Sequence, residues 1–434
     1  MVRRVRRGGS ALLTPARLRL AAIGAGAFAL RLVVIAATPG YRPIHDDAAY
    51  TRVARSLLSV GHYPGHPIPG GGFQVSAYRP PGWPGVLYAT WQAIGFNVTA
   101  ARVVLALIGA VAAVLVAVLA GQLFGRRAAL AAGILAALSP LAIAVGASLE
   151  SETLFTALIL GAACAAMAAR RRSRVRWALL AGVLAGLAAL TRTNGLVALP
   201  VIALLAIPLG VRGPRRLVPA IAALVVAIAV IAPWTMRNAR VAHAFIPVST
   251  ETGNTLAGTY NDVSLHHDAR WLEPRHIGAY RAIFRRDGAE AKADSDLTAA
   301  VLRWVRDHPV YPLYVLVQNS GRLLGAGGPS WGAFSLHTMS LGDDAGSLVW
   351  LGVLALSILA IGGMWLARGL GVPAAVWLLL AALYLPPALV NAELRLGAPV
   401  QAVAIAFAGL AAVRLLERAR SGRVQAPNPS MAGR

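Results

Sequence analysis

The sequence predicts an all-α integral membrane protein with about ten transmembrane helices. Interfacial helices are expected in its first outer loop, followed later by a mixed extracytoplasmic segment. Three observations predict this. Of the 434 residues, 57% are hydrophobic and 13% are charged, and the mean hydropathy is +0.63. Apolar runs recur at about the 20-residue length that crosses a hydrocarbon core as a helix. Arginine clusters punctuate alternate ends of these runs. Backbone groups in lipid must be bonded within their own segment, so the runs are helices rather than open strands.

In chain order, the spans are read at 18–38, 103–123, 127–147, 152–169, 177–192, 194–211, 217–235, 347–367, 371–391 and 396–416. The run after the Arg-rich start is too long for the apolar part of a signal peptide and is taken as the first span. Short loops rich in Lys and Arg stay cytoplasmic. The clusters are Arg3 to Arg7, Arg126 and Arg127, Arg170 to Arg176, Arg212 to Arg216, Arg368, and Arg414 to Arg423. With ten spans they all fall on one side and both termini are cytoplasmic. The other side receives the loop 39–102, three short turns and the segment 236–346. The expected units are a bundle 1–235 with a catalytic first outer loop, the extracytoplasmic segment 236–346, C-terminal transmembrane helices 347–420 and a disordered tail 421–434.

The net charge of +24 does not mark a nucleic-acid partner. Much of it is the orientation signal and the rest is spread out, so attraction of the cytoplasmic ends to anionic lipid accounts for it. The single cysteine, Cys164, lies inside a span, which excludes an intrachain disulfide and a Cys-based metal site. No P-loop and no Gly-x-Gly-x-x-Gly after a strand is present, so no nucleotide site is expected.

Outside the spans, apolar residues recur at helical spacing from Asp47 to Val60. A second set, Trp83, Leu87, Trp91 and Ile94, follows a Gly/Pro-rich turn at Pro64 to Gly72. Both read as helices lying at the interface. The segment 236–346 balances eleven acids with eleven bases. Ala279 to Phe284 and Asp296 to Asp307 read as helices, and Tyr311 to Leu324 as an interfacial or re-entrant one. Asn97-Val98-Thr99 fits a glycosylation sequon and abuts a span.

Acidic residues number only 17, so their placement carries information. All but Glu417 fall on the outer side. Asp46 and Asp47 follow the first span; they either cap the next helix or, near apolar surface, gain a raised pKa suited to a base. Glu150 and Glu152 stand at a tight outer turn, as an N-cap cluster with Ser148 or Ser151, or as functional groups at the membrane edge. Glu152 is the deeper and is favoured. Outer-face arginines are Arg31, Arg79, Arg102, Arg192, Arg237 and Arg395. Arg31 and Arg102 read as headgroup snorkels. Arg395 in Asn391-Ala392-Glu393-Leu394-Arg395 is suited to grip a phosphate through two parallel hydrogen bonds, or else pairs with Glu393. No cofactor is required by the pattern. Asp46, Asp47 and Glu152, with His45, His62 or His66, are candidate ligands for a divalent metal ion, although no spacing demands one.

From the first span to the last the chain resembles the C-type polytopic membrane glycosyltransferases. The resemblance is to the bacterial branch related to protein O-mannosyltransferases and the lipid A aminoarabinose transferase. It is carried by Asp46-Asp47-Ala48-Ala49-Tyr50, Tyr78-Arg79-Pro80-Pro81-Gly82, Ser151-Glu152-Thr153-Leu154-Phe155, and Thr191-Arg192 with Gly195-Leu196. Pro233-Trp234-Thr235-Met236-Arg237-Asn238, Pro247-Val248-Ser249-Thr250 with Gly253-Asn254-Thr255-Leu256, and Glu393-Leu394-Arg395 with Pro399 complete it. Asp47 stands where the family usually has Glu.

The resemblance implies inverting transfer of a sugar from a polyprenyl-phosphate donor to an acceptor hydroxyl at the outer face of the cytoplasmic membrane. The acceptor would be a protein, a lipid or an envelope glycan. Asp46, Asp47 and Glu152 would be catalytic, and Tyr50, Arg79, Arg192, Arg237 and Arg395 substrate-binding. The alternatives are a transporter or flippase of an anionic lipid-linked substrate, and a non-catalytic envelope assembly protein docking through 236–346. Transporter sites lie near the midplane, whereas these acids sit at the rim, and no pair of Gly/Pro-broken spans appears in corresponding halves.

Overall fold

The computed structural model describes residues 15–424 except 62, 68–72, 173, 209–210 and 286–289. Helix α1 (Pro15–Ala37) leads into the loop 38–97, which holds α2 (His45–Val60), a small antiparallel pair β1 (Pro64–Pro67) and β2 (Phe73–Val75), and α3 (Gly82–Ile94). The bundle continues with α4 (Val98–Phe124), α5 (Arg126–Leu138), α6 (Pro140–Ala147), α7 (Glu152–Arg172), α8 (Val175–Thr191), α9 (Gly195–Leu205) and α10 (Val218–Ala242). The segment 243–345 carries α11 (Thr252–Ala257), α12 (Asp262–Leu265), α13 (Gly278–Arg285), α14 (Glu290–Asp307), α15 (Tyr311–Leu323) and α16 (Gly328–Thr338). The chain returns through α17 (Gly346–Ala367), α18 (Ala374–Leu389) and α19 (Ala398–Val424).

Among the described residues six helices are long and apolar enough to cross a membrane: α1, α4, α7, α10, α17 and α19. The pair α5–α6 passes the same test together but is bent by 55°. The shorter apolar helices α8, α9 and α18 complete the set on which the ten expected spans fall. The chain is therefore a multi-span, essentially all-helical membrane protein.

The stretch 127–147 is not one straight helix. Pro140 has no N–H and its ring crowds the preceding turn, so α5 stops and α6 restarts. Ser139 becomes the cap, its Oγ accepting from the Ala142 N–H at 3.3 Å. The boundary expected at 235 falls inside α10, which continues to Ala242. Residues 421–424, expected as tail, extend α19; residues 425–434 lie outside the described part. The helices expected in the first outer loop and at 279–284, 296–307 and 311–324 are all present, within a few residues.

The largest apolar core is built mostly from alanine, with Phe155, Phe407, Leu379 and Leu410 among the larger members. Small residues let helix backbones approach closely, which replaces the hydrophobic drive that lipid removes. Gly363 of α17 faces the Phe407 carbonyl of α19 with no space for a Cβ, and Gly182 of α8 meets Ala223 of α10 in the same way. Asn97 caps α4, its Oδ1 accepting from the Ala100 N–H at 2.9 Å, and Cys164 is buried in the packing.

Candidate active site

The functional residues converge where α2, the α6–α7 turn, the loop before α3, the loop before α11 and the turn before α19 meet. Asp46 and Asp47 lie in the first turn of α2, but neither caps it: Ile44 is the cap residue and makes no side-chain cap bond. Both carboxylates are spent elsewhere. Asp46 receives Arg79 Nη2 at 2.5 Å and Arg395 Nη2 at 2.7 Å. Asp47 is fully buried and accepts from the Tyr41 hydroxyl and, at 3.0 Å, from Ser340 Oγ.

Arg395 is the hub of the cluster. Its Nε meets Glu393 at 2.7 Å, and its Nη1 meets Glu150 at 2.8 Å and Glu152 at 3.2 Å. The Glu393 pairing anticipated in the sequence is thus one of four. Arg192, which ends α8, reaches Glu152 at 2.9 Å and Ser151 Oγ at 2.8 Å. Arg79 bridges Asp46 to Glu251 at 2.8 Å and lies 5.1 Å over the Tyr50 ring. Tyr50 in turn shares a 3.2 Å hydrogen bond with Ser151. Glu150, Glu152 and Arg395 form the floor; Asp46, with 29% of its side chain exposed, lies on the open side with Arg79, Arg192 and Glu251.

The electrostatics differ sharply between neighbours. Burial works against ionisation of Asp46, but the guanidiniums of Arg79 and Arg395 outweigh it and hold the carboxyl well below its ordinary range. The raised value expected there belongs instead to its neighbours. Burial raises Asp47, against the hydrogen bonds from Tyr41 and Ser340. Burial pushes Glu150 well above the carboxylate range; Arg395 opposes this and Glu152, Asp46 and Asp47 add to it. Both Glu150 oxygens lack an aligned hydrogen bond despite the short contact with Arg395. Glu251 is also raised by burial, with Arg79 opposing.

Some expectations land elsewhere. Arg237 makes no ion pair with the site acids among the described residues. It donates to the Ser76 carbonyl at 2.6 Å and lies over Trp234 and Tyr63, at 4.6 and 5.3 Å, holding the first outer loop against α10. Arg31 and Arg102 do not snorkel. They are 2% and 1% exposed and donate inward, Arg31 to the carbonyls of Ala27 and Ala142, Arg102 to that of Ala147 and to Thr38. The cause is local: the short, bent α6 offers carbonyls, and Gly109 and Gly146 leave the slot that Arg31 fills.

Ser148 and Ser151 do not act as the expected caps. Ser148 Oγ donates to the Val145 carbonyl, and Ser151 Oγ joins Tyr50 and Arg192. His45 is exposed and 6.5 Å from the His337 ring; His62 and the His66 side chain lie outside the described residues.

A divalent metal does not fit this arrangement. Among the described residues no three of His, Cys, Asp and Glu come together to hold one. Guanidiniums occupy the positions between the carboxylates, so Asp46, Asp47 and Glu152 are tied to Arg79, Arg395, Arg192, Tyr41 and Ser340 instead.

Two participants escape sequence spacing: Glu251 and Tyr41. Glu251 is delivered by Pro247–Thr250, which α10 holds through Trp234 Nε1 on the Val248 carbonyl at 2.8 Å and Asn238 Nδ2 on the same carbonyl at 3.1 Å. The usable signal was the scarcity of acids and their position at outer turns.

The resemblance read from the sequence is borne out by what the chain is similar to. Residues 79–236 match the family described as dolichyl-phosphate-mannose-protein mannosyltransferase. No curated protein is similar enough to count as a match.

Among solved structures the chain is similar to the oligosaccharyltransferase AglB from Archaeoglobus fulgidus, in complex with an inhibitory peptide and a dolichol-phosphate. The TM-score is 0.55 at 15% identity, covering 94% of this chain and 52% of that one. The Archaeoglobus fulgidus oligosaccharyltransferase in complex with Zn and sulfate gives 0.54 at 13% identity, over 93% and 49%. ArnT from Cupriavidus metallidurans bound to undecaprenyl phosphate gives 0.42 at 16% identity, over 97% and 82%. The chain therefore spans about half the length of the archaeal enzyme whose fold it shares.

Proposed function

We propose that the chain transfers a sugar from a polyprenyl-phosphate carrier to an acceptor hydroxyl at the outer face of the cytoplasmic membrane, inverting the anomeric carbon. The observation that carries this reading is Asp46: a partly open carboxylate set between the guanidiniums of Arg79 and Arg395, with Glu150 and Glu152 beneath it and Arg192 beside it. The family match at 79–236 covers Arg79, Glu150, Glu152 and Arg192, and supports it. The dolichol-phosphate and peptide bound by the archaeal relative suit a lipid-linked donor and a polypeptide acceptor; a lipid or envelope glycan has the same hydroxyl chemistry.

In this reading the acceptor hydroxyl gives its proton to Asp46 as its oxygen bonds to the anomeric carbon. The bond from that carbon to the phosphate oxygen breaks, and polyprenyl phosphate leaves with the electron pair. General-base assistance contributes about 10²–10⁴-fold in rate. Arg79 and Arg395 meet the phosphate charge that grows on the leaving group, in a site from which water is largely excluded. Phosphate contact with either guanidinium loosens its grip on Asp46 and returns proton affinity to that carboxylate. Glu152 fixes Arg192 and Arg395, and Tyr50 supports Arg79 from below. Membrane lipid surrounds the spans and carries the donor.

The test compares three strains: gene deleted, gene restored, and gene restored as Asp46→Asn at matched membrane levels. Polyprenyl-phosphate sugars and envelope glycans are measured by mass spectrometry. Deletion and Asp46→Asn are expected to lose the same sugar from an acceptor while the lipid-linked donor persists. An Asp46→Asn strain indistinguishable from the restored one would refute the catalytic role.

A further inference from the structure

Besides Glu251 and Ser340, which contact the cluster directly, the segment 243–345 supports the site through a further side chain, Glu290. Glu290 opens α14, far in sequence from every residue of the cluster. Its Oε2 accepts from Ser76 Oγ at 2.6 Å, and its Oε1 accepts from the Ala77 N–H at 3.0 Å and from Thr250 Oγ1 at 2.5 Å. The two segments it joins also hold each other: the Thr250 N–H donates to the Ala77 carbonyl at 3.1 Å. One turn further along α14, Asp294 Oδ1 accepts from the Gly253 N–H at 2.6 Å. Gly253 lies so close to the Asp294 backbone that no Cβ fits between them.

The chain positions matter. Ala77 is two residues before Arg79, and Thr250 immediately precedes Glu251. Arg79 and Glu251 are bonded to each other, and Arg79 to Asp46. The grip therefore fixes both groups that flank the open side of Asp46. Glu290 makes no ion pair among the described residues, so its charge serves these three donors. An ionised carboxylate is acceptor-only, and hydrogen bonds to it are stronger than neutral ones.

We propose that Glu290 is a positioning residue. By clasping the Ser76–Ala77 and Thr250–Gly253 segments to α14, it sets the place of Arg79 and Glu251 against Asp46. This rests on the proposed transfer reaction. Displacement of a reacting group by about 1 Å costs on the order of 10²-fold in rate. Gln keeps one acceptor oxygen but presents an NH2 group where Ser76 or Thr250 donates, so it restores part of the clasp; Ala restores none.

The experiment uses the full-length chain, purified in detergent, as Glu290→Ala, Glu290→Gln and the control Asp296→Ala. Asp296 lies on the same helix and pairs with Lys292 at 3.1 Å. Hydrogen–deuterium exchange of residues 76–82 and 250–255 is read together with melting temperature and with transfer of the sugar identified by the strain comparison. Glu290→Ala is expected to speed exchange in both segments and to lower kcat by about 10²-fold. Its melting temperature should match that of Asp296→Ala, and Glu290→Gln should fall between Glu290→Ala and the unaltered chain. Unchanged exchange in Glu290→Ala overturns the clasp. Faster exchange with unaltered transfer overturns the positioning role. A melting temperature well below that of Asp296→Ala, with no recovery in Glu290→Gln, does so too. If the unaltered chain moves no sugar, the proposed function fails, and exchange still decides whether Glu290 holds the two segments.

Discussion

Glu150 and Glu152 are two residues apart, equally buried, and behave oppositely. Glu152 is engaged by Arg192 and Arg395, whereas Glu150 has no aligned hydrogen bond and is pushed up by burial. Removing the charge of Glu152 leaves two guanidiniums short of a partner, and breaking such a buried pair costs about 3–5 kcal/mol. Glu150→Gln should therefore melt close to the unaltered chain in detergent, and Glu152→Gln well below it. The pH dependence adds a sign. Burial sets the Glu150 pKa in the folded chain above the unfolded value of about 4.3, so its contribution to stability falls as pH rises from there toward its native value. Glu150→Gln should remove that part of the slope in a melting-temperature series; an unchanged slope would mean that Glu150 is ionised in the fold. The sequence shows both acids at an outer turn. It does not show that Arg395 reaches both of them and Arg192 only Glu152, because Arg192 and Arg395 arrive from other helices. For the same reason Glu251 stays unremarked in one dimension, and Arg237 looks like its neighbours until its carbonyl partner is seen.

Helices are the part of the fold most open to reading, since hydropathy and arginine clusters are local properties. The helices α2 and α3 were legible for the same reason: their apolar residues repeat with helical spacing. The break at Ser139-Pro140 was not read: a cap residue followed by proline marks it, but it sits within an unbroken apolar run that masks it. What the helices do to one another was not legible. Alanine and glycine are so frequent here that composition cannot say which glycine faces a backbone. Gly362 and Gly363 show the difference. A Cβ at Gly362 would meet nothing within 4 Å, while at Gly363 it would strike the Phe407 carbonyl. Overpacking costs about 1–3 kcal/mol, and a backbone carbonyl cannot rotate aside as a side chain can. Gly363→Val should therefore lower the melting temperature in detergent and Gly362→Val should leave it. Equal effects would remove the close α17–α19 contact from the account.

Across the whole molecule, charge is sorted by end. The acid cluster lies beside the start of α19, and 27 residues of helix, about 40 Å, carry the chain from there to the opposite end. There Glu417 is met by Arg127 at 2.8 Å and by Arg414 at 3.3 Å. Two basic clusters separate in sequence thus share one end, as the orientation rule requires. We expect that end to be cytoplasmic. A cysteine placed at His267, exposed in the outer segment, should react with a membrane-impermeant maleimide in intact cells. One placed at Arg418 should react only after permeabilisation, with buried Cys164 silent in both. The reverse pattern would invert the orientation and put the acid cluster on the cytoplasmic side.

Carboxyls outnumber guanidiniums around Arg395: Asp46, Asp47, Glu150, Glu152, Glu251 and Glu393 against Arg79, Arg192 and Arg395. On the proposed chemistry, a phosphate entering this chamber brings further negative charge to a place already over-supplied with it. The carboxyl it frees, Asp46, keeps its charge and regains affinity for a hydrogen ion, which the acceptor hydroxyl then supplies. Carrier loading and the arming of the base are then two faces of one equilibrium. Departure of the lipid lets the guanidiniums close on Asp46 again, and that closure drives the hydrogen ion out.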